Sequence, residues 1–334
     1  MTDMPEKPSG VVIDCLQYCK YSEAVFRDLK AGGVDAIHTT ISYHEDFQET
    51  VANIIRWNEL FAAHGGLVFH GRTGADVRRA KAEGRIAVFF GLQNCSPIED
   101  DIGLVEICHT LGVRFMQLSY NNQSLLASGC YESDDAGITR MGREVIAEMN
   151  RLGMVIDMSH SGDRSTLAAI ELSRRPIAVT HANPLSWHKV VRNKSADVLK
   201  ALAASGGMLG FSLYPHHLKN GSNCTLAEFC EMVARTAELI GVANLGIGSD
   251  LCHGQPKEVV QWMRRGSWTK EPLDPAIMFP PQPSWFQSNR DFPNIAQGLA
   301  KTGFSPAEVS AVMGENWLRF FDASFAAAPG GAGR

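Results

Sequence analysis

RLGMVIDMSH (residues 151–160) carries, in order, the end of a helical segment, a glycine, a short apolar run and a histidine. Glycine after a helical segment supplies the left-handed residue that ends a helix at no steric cost. A short apolar run directly after it reads as a buried strand. The same order recurs at AGGV, AEGR, TLGV, SGG and LIGV. Working outward, the apolar runs are VVIDCLQY (11–18), DAIHTTIS (35–42), RIAVFFGLQ (85–93), VRFMQLSY (113–120), VIDMSH (155–160), PIAVTHA (176–182), GMLGFSLY (207–214) and NLGIGSD (244–250). Eight strands alternating with helical segments predict an α/β fold, a closed TIM (β/α)8 barrel in preference to an open sheet.

No Ser/Gly-rich linker breaks the body of the chain, so the expected organisation is one barrel domain over 11–322 with a long loop at about 251–292. The ends, 1–10 and 323–334, read by composition as flexible. Barrels of this length are ordinary as single domains.

The chain has 334 residues, 45% hydrophobic and 20% charged, which suits a packed globular protein. A formal charge of -5 without a basic run leaves no electrostatic footprint for nucleic acid. MTDMPEKPSG at the start has no apolar core of a secretion signal, and no apolar stretch of about 18 residues predicts a membrane span. The expectation is a cytoplasmic protein with no membrane and no nucleic-acid partner. Its eight cysteines lack CxxC spacing and read as reduced packing thiols.

Each run is apolar and then ends on a group able to do chemistry: Gln93, Tyr120, His160, His181, Tyr214 and Asp250. In a TIM barrel these ends converge at the C-terminal face, where active sites lie. His160 and His181 end adjacent strands, and neighbouring imidazoles there suit Zn, Fe or Mn. The competing reading makes them backbone caps. Asp250 is expected to be a metal ligand or the base that takes a proton from water, against the plainer reading of a helix N-cap. Arg192, in HANPLSWHKVVRNKS, is placed to hold a substrate carboxylate bidentately.

IDMSH (156–160), TH (180–181) with RNKSADVL (192–199), GIGSD (246–250) and GENWLRFF (314–321) make the chain resemble the membrane-dipeptidase (renal dipeptidase, peptidase M19) family over nearly its whole length. That family belongs to the metal-dependent amidohydrolase-like barrels. The resemblance implies that His160 and His181 hold one metal of a binuclear zinc site, that Arg192 binds the substrate carboxylate, and that Asp250 is ligand and proton shuttle. It also implies a homodimer.

Three departures stand against it. Where the family carries a His-x-Asp pair in a DGHND-like motif, this chain reads IDCLQYC, with Leu16 and Tyr18 at the ligand places. Gln93 in GLQNC stands for the bridging Glu, and a neutral amide binds divalent metal weakly. Tyr120 and Asn121 replace the substrate-polarising His; a phenol can still donate to an oxyanion. Cys15, Cys19, Cys95 and Cys252 near strand ends offer thiolates as substitute ligands, with packing as the alternative. Trp262, Trp268, Trp285 and Phe286, in the long loop, wall an apolar or cationic ligand or pack on the barrel.

The reading favoured by these residues is a mononuclear metallohydrolase. One divalent metal, Zn2+ first, is held by His160 and His181 together with Asp250 or Gln93. Asp250 and Tyr120 are the catalytic groups, while Arg192, Tyr120 and Asn121 bind a dipeptide or other small amide bearing a carboxylate. Lyase-type cleavage of a small carboxylated metabolite, and a metal-free binding protein on a degenerate barrel, remain as alternatives.

Overall fold

The computed structural model describes residues 10–266, 269–270, 272, 276 and 278–326. Nine parallel strands lie among them: β1 Ile13–Gln17, β2 Ala36–Ser42, β3 Val68–His70, β4 Ile86–Leu92, β5 Val113–Gln117, β6 Val155–Asp157, β7 Ala178–Val179, β8 Met208–Phe211 and β9 Leu245–Ile247. Their order is β2-β1-β9-β8-β7-β6-β5-β4-β3, and pairing of β2 with β4 closes a ring of eight.

The sequence reading of eight strands therefore needs one correction, β3. It pairs only with the first half of β4, Val68 opposite Ile86 through His70 opposite Val88, and β5 takes over from Phe90 onward. β3 is an outlier on the ring because the same residues of β4 pair on their other edge with β2.

Local signals explain the helices. Asp46 and Glu49 cap the helix Phe47–Ala63 reciprocally, and Thr225 and Glu228 do the same for Leu226–Ile240. Gly84 and Gly153 end their helices with φ of 62° and 78°, in the left-handed region read from AEGR and RLGM.

Inside the ring, Ile13, Cys15, Ala87, Phe89, Phe115, Val155, Ala178 and Met208 form one core, and a larger apolar layer lies between strands and helices. Trp317, from GENWLRFF, is fully buried against that inner core and donates its indole N–H to Ile247 O at 3.0 Å. A side chain at Gly246 would overlap the same indole. The last helix, Asn316–Ser324, continues past 322, where the sequence reading starts a tail; 1–9 and 327–334 lie outside the described residues.

The long segment after β9 is structured in part: it contains the helix Lys257–Arg265 and a turn at Asn289–Asp291. No helix among the described residues is long and apolar enough to cross a membrane. All eight cysteines are free thiols. Burial raises the pKa of Cys15, Cys19, Cys95 and Cys252, which opposes the thiolate form and supports packing over metal binding.

Candidate active site

Asp157, the last residue of β6, is fully buried and gathers the polar ends of two strands. Its Oδ1 accepts from Ser159 N at 3.0 Å, Ser159 Oγ at 2.5 Å and Thr180 N at 3.2 Å, and its Oδ2 accepts from Thr180 Oγ1 at 2.6 Å. Ser159 Oγ in turn accepts from His181 N at 3.2 Å. This network sets the two histidines beside each other.

The hydrogen bonds also fix their tautomers. His160 Nδ1–H donates to Asn121 Oδ1 at 2.6 Å. The proton of Thr180 Oγ1 is committed to Asp157, so at 2.8 Å His181 Nδ1–H is the donor to Thr180. Both Nε2 atoms are thereby left bare, and they face each other at 3.0 Å. Two lone pairs at this spacing call for a cation between them. A proton is disfavoured, because burial first, and then the Arg192 guanidinium, hold both imidazoles well below their usual pKa of 6.5.

A metal ion fits that place. Two nitrogens about 2.0–2.1 Å from one tetrahedral ion stand roughly 3.3 Å apart, close to the observed spacing. The Nδ1–H bonds to Asn121 and Thr180 are the outer contacts that orient metal-binding imidazoles. The residues where the resembled pattern holds a second ion are poor ligands. Leu16 is a buried hydrocarbon, the Tyr18 phenol is pushed well above its usual pKa by burial, and the Gln93 amide donates to Thr40 Oγ1 at 2.6 Å. Among the described residues no three His, Cys, Asp or Glu side chains group closely enough to hold a metal, so the imidazole pair forms no three-ligand set with Asp250.

Over the strand ends lies a cavity of about 610 Å³, lined in part by Tyr120, Asn121, His160, Arg192, Asp250 and Gln93. Of the residues expected to be catalytic, substrate-binding or metal-binding, all line it except His181, which is wholly buried with its Nε2 against that of His160. Asn121 and Asp250 have φ of 61° and 59°, a left-handed conformation uncommon outside glycine and tolerated best by Asn and Asp. Tyr120 stacks on His160 with ring centroids 4.1 Å apart, and burial keeps its hydroxyl protonated.

Asp250 is held at the end of β9 by its own backbone and by its neighbour. Its N–H donates to Leu16 O at 2.9 Å, and Ser249 is tied to Asp14 through N–H and Oγ at 2.7 and 2.5 Å. Burial raises the Asp250 carboxyl to about 7, against the lowering effect of Arg192. His217 Nδ1 comes within 3.9 Å of Asp250, but burial keeps that imidazole neutral, and its Nδ1 shares a 2.8 Å hydrogen bond with Ser212 Oγ. Arg192 is 4% exposed, donates to the backbone oxygens of Ser159 and His181, and has no carboxylate partner among the described residues. A buried guanidinium without an anion is costly unless a ligand supplies one.

Sequence reasoning missed Asp157, His217, Tyr131 and Arg264. Asp157 and the HH pair at 216–217 had a visible signal, since both sit at or just beyond strand ends. Arg264, inside the long segment, had none. Of the two readings of the aromatic residues there, packing holds: Phe286 is fully buried, Trp285 donates to Cys224 O at 2.8 Å, and Trp262 packs on Tyr43 and His44, while Trp268 lies outside the described residues. Val260, Met263, Arg264 and Phe279 face the cavity instead.

Comparison with known proteins follows the same lines. The membrane dipeptidase (peptidase family M19) model matches residues 23–264. Among curated proteins, Dipeptidase tcpJ of Claviceps purpurea (strain 20.1) is 24% identical over 288 residues, covering 85% of this chain and 61% of the relative. Dipeptidase aclJ of Aspergillus oryzae is 23% identical over 293 residues, covering 86% of this chain and 58% of the relative, so the chain spans about three fifths of these relatives. Among solved structures, an amidohydrolase from Pseudomonas aeruginosa superposes with a TM-score of 0.90 at 34% identity, covering 95% of this chain and 97% of that one. A metallo peptidase from Rhodobacter sphaeroides, liganded with a phosphinate mimic of the dipeptide L-Ala-D-Ala, shares the fold at 16% identity and a TM-score of 0.77, covering 94% of this chain and 99% of that one. With the family model matching well over half of its residues, the chain belongs to the membrane dipeptidase (peptidase M19) family.

Proposed function

We propose that this chain hydrolyses a dipeptide or another small amide whose free carboxylate is held by Arg192, using one divalent ion, zinc first, held by His160 and His181. The observation that carries the reading is the convergence of two bare imidazole nitrogens beside a cavity that also holds a buried, anion-free guanidinium. When bound, the ion supplies Lewis acidity that polarises an amide carbonyl and acidifies water.

The side chains do the rest. Arg192 anchors the substrate carboxylate and so orients the amide. Asp250, with a carboxyl raised to about 7, is matched to take a proton from attacking water and return it to the leaving nitrogen, so that OH adds to the carbonyl carbon as the C–N bond breaks. Tyr120 stays a neutral phenol and donates to the developing oxyanion. Asn121 acts through His160, as a positioning residue. Val260, Met263 and Phe279 give the cavity an apolar wall.

The test is amine release from a panel of dipeptides and N-acyl amino acids by the zinc-reconstituted chain, with Asp250→Asn and Arg192→Met alongside. Asp250→Asn is expected to lower kcat by about a hundredfold or more, and Arg192→Met to act mainly through KM. No amide turned over by the parent with zinc, manganese or cobalt would defeat the proposal. Cleavage without consumption of water would replace it with a lyase.

A further inference from the structure

The cavity is lined by a second guanidinium besides the one assigned to the substrate carboxylate. Among the described residues two guanidinium groups line it, those of Arg192 and Arg264, against one acid, Asp250. Its histidines add none at neutral pH, because burial holds His160, His216 and His217 below their usual pKa.

Arg264 differs from Arg192 in its setting. It belongs to the helix Lys257–Arg265, outside the ring of strands, and its Nη2 donates to the Tyr214 hydroxyl at 2.7 Å. That bond leaves most of the guanidinium fork unused, and no carboxylate pairs with it among the described residues. Tyr131, half exposed at the lip, ties the two arginines to one opening. Burial raises its pKa, and Arg192 and then Arg264 oppose the shift, so its phenol lies within electrostatic reach of both. A half-buried arginine steadied by a phenol beside Val260, Met263 and Phe279 is a ready partner for a planar anion.

We infer that Arg264 reads a second carboxylate, so that the substrate is an amide of an acidic amino acid, with its α-carboxylate at Arg192 and its side-chain carboxylate at Arg264. This deepens the proposed function and rests on it for the role of Arg192. It explains why the long segment after β9 brings a cation to the mouth: the strand ends recognise what all substrates share, and the segment recognises what distinguishes them.

The experiment is calorimetric titration of the intact, zinc-reconstituted chain with N-methylsulfonyl-L-glutamate and N-methylsulfonyl-L-glutamine, which match in shape and carry a sulfonamide in place of the scissile amide at the α-nitrogen. The parent is expected to bind the glutamate compound about tenfold to a hundredfold more tightly, as one charge-assisted contact allows. Arg264→Gln should erase that difference and Arg264→Lys should keep part of it. Equal binding of the two compounds by the parent, binding of neither, or a preference that survives Arg264→Gln would each overturn the assignment. The titration needs no turnover. Hydrolysis of amides with no preference for acidic ones would therefore leave the proposed function standing while this inference fell, and an acid preference in a chain that opens no amide would keep the carboxylate contact at Arg264 while the proposed function fell.

Discussion

The Nε2 atoms of His160 and His181 face each other at 3.0 Å, each left without a proton by the hydrogen bond its Nδ1 makes. Chain purified without added metal is therefore expected to carry about one divalent ion, and the His160→Ala, His181→Ala double variant none. Elemental analysis decides it. A parent that stays empty even after reconstitution would show that the pair is held by a proton instead.

Asp157 touches neither cavity nor imidazole, yet it fixes Ser159 and Thr180, on which His181 depends. Asp157→Asn should weaken metal binding by about tenfold to a hundredfold, the usual effect of losing an outer contact. It should also destabilise the fold by roughly 2–4 kcal/mol, because buried donors lose their acceptor. Chelator competition and urea unfolding measure the two. Unchanged metal affinity with lowered stability would leave Asp157 a purely structural residue.

Asp14 gives a pH signature. It is fully buried where β1 meets β9, and burial lifts its carboxyl from the ordinary 3.8 to about 6, although Ser249 and Gln17 donate to it. The folded chain thus keeps this proton up to about pH 6, whereas an unfolded chain releases it near 3.8. Between those values the unfolded state binds fewer protons, so the contribution to stability falls as pH rises. The displacement corresponds to about 3 kcal/mol. In urea unfolding, the stability advantage of the parent over Asp14→Asn should shrink by that order between pH 4 and pH 6.5. A pH-independent difference would rule it out.

What the sequence disclosed and what it hid follow from the same physics. The eight ring strands were legible because each is a short, largely apolar run, almost wholly buried, and glycines such as Gly84 and Gly153 mark where helices stop. β3 was hidden because VFH is too short for periodicity and sits among Gly65, Gly66 and Gly71, which read as loop. His160, His181 and Asp250 were legible as polar ends of apolar strands. Asn121 lines the cavity where the sequence places it, and its bond to His160 was not legible because it joins the ends of two strands. Arg264 lies on an amphipathic helix in a segment with no strand to anchor it, and nothing in one sequence says which side of such a helix faces the mouth.

The proposal of one ion in place of two rests on three side chains, and their reversal is the severest test of the site. Leu16→His, Tyr18→Asp and Gln93→Glu together restore the ligand types of the resembled pattern at the ends of β1 and β4, on backbone that already holds Asp250 through Leu16 O. The cost is visible as well. Tyr18 packs edge-on to Tyr43 at 6.0 Å and against Phe279 at 6.0 Å, so its removal opens space beside a carboxylate already raised by burial. Without metal the triple variant should unfold at a lower temperature than the parent, by the few kcal/mol typical of losing a buried aromatic ring, about 3–5. With zinc it should recover, since an ion bound only by the folded state stabilises it by mass action. Its zinc content should rise from about one ion per chain to about two. Two ions in the triple variant but one in each single variant would place the loss of the binuclear centre on these side chains jointly. One ion in all of them would mean that the strand ends themselves, not the residues they carry, no longer stand at the spacing a second ion requires.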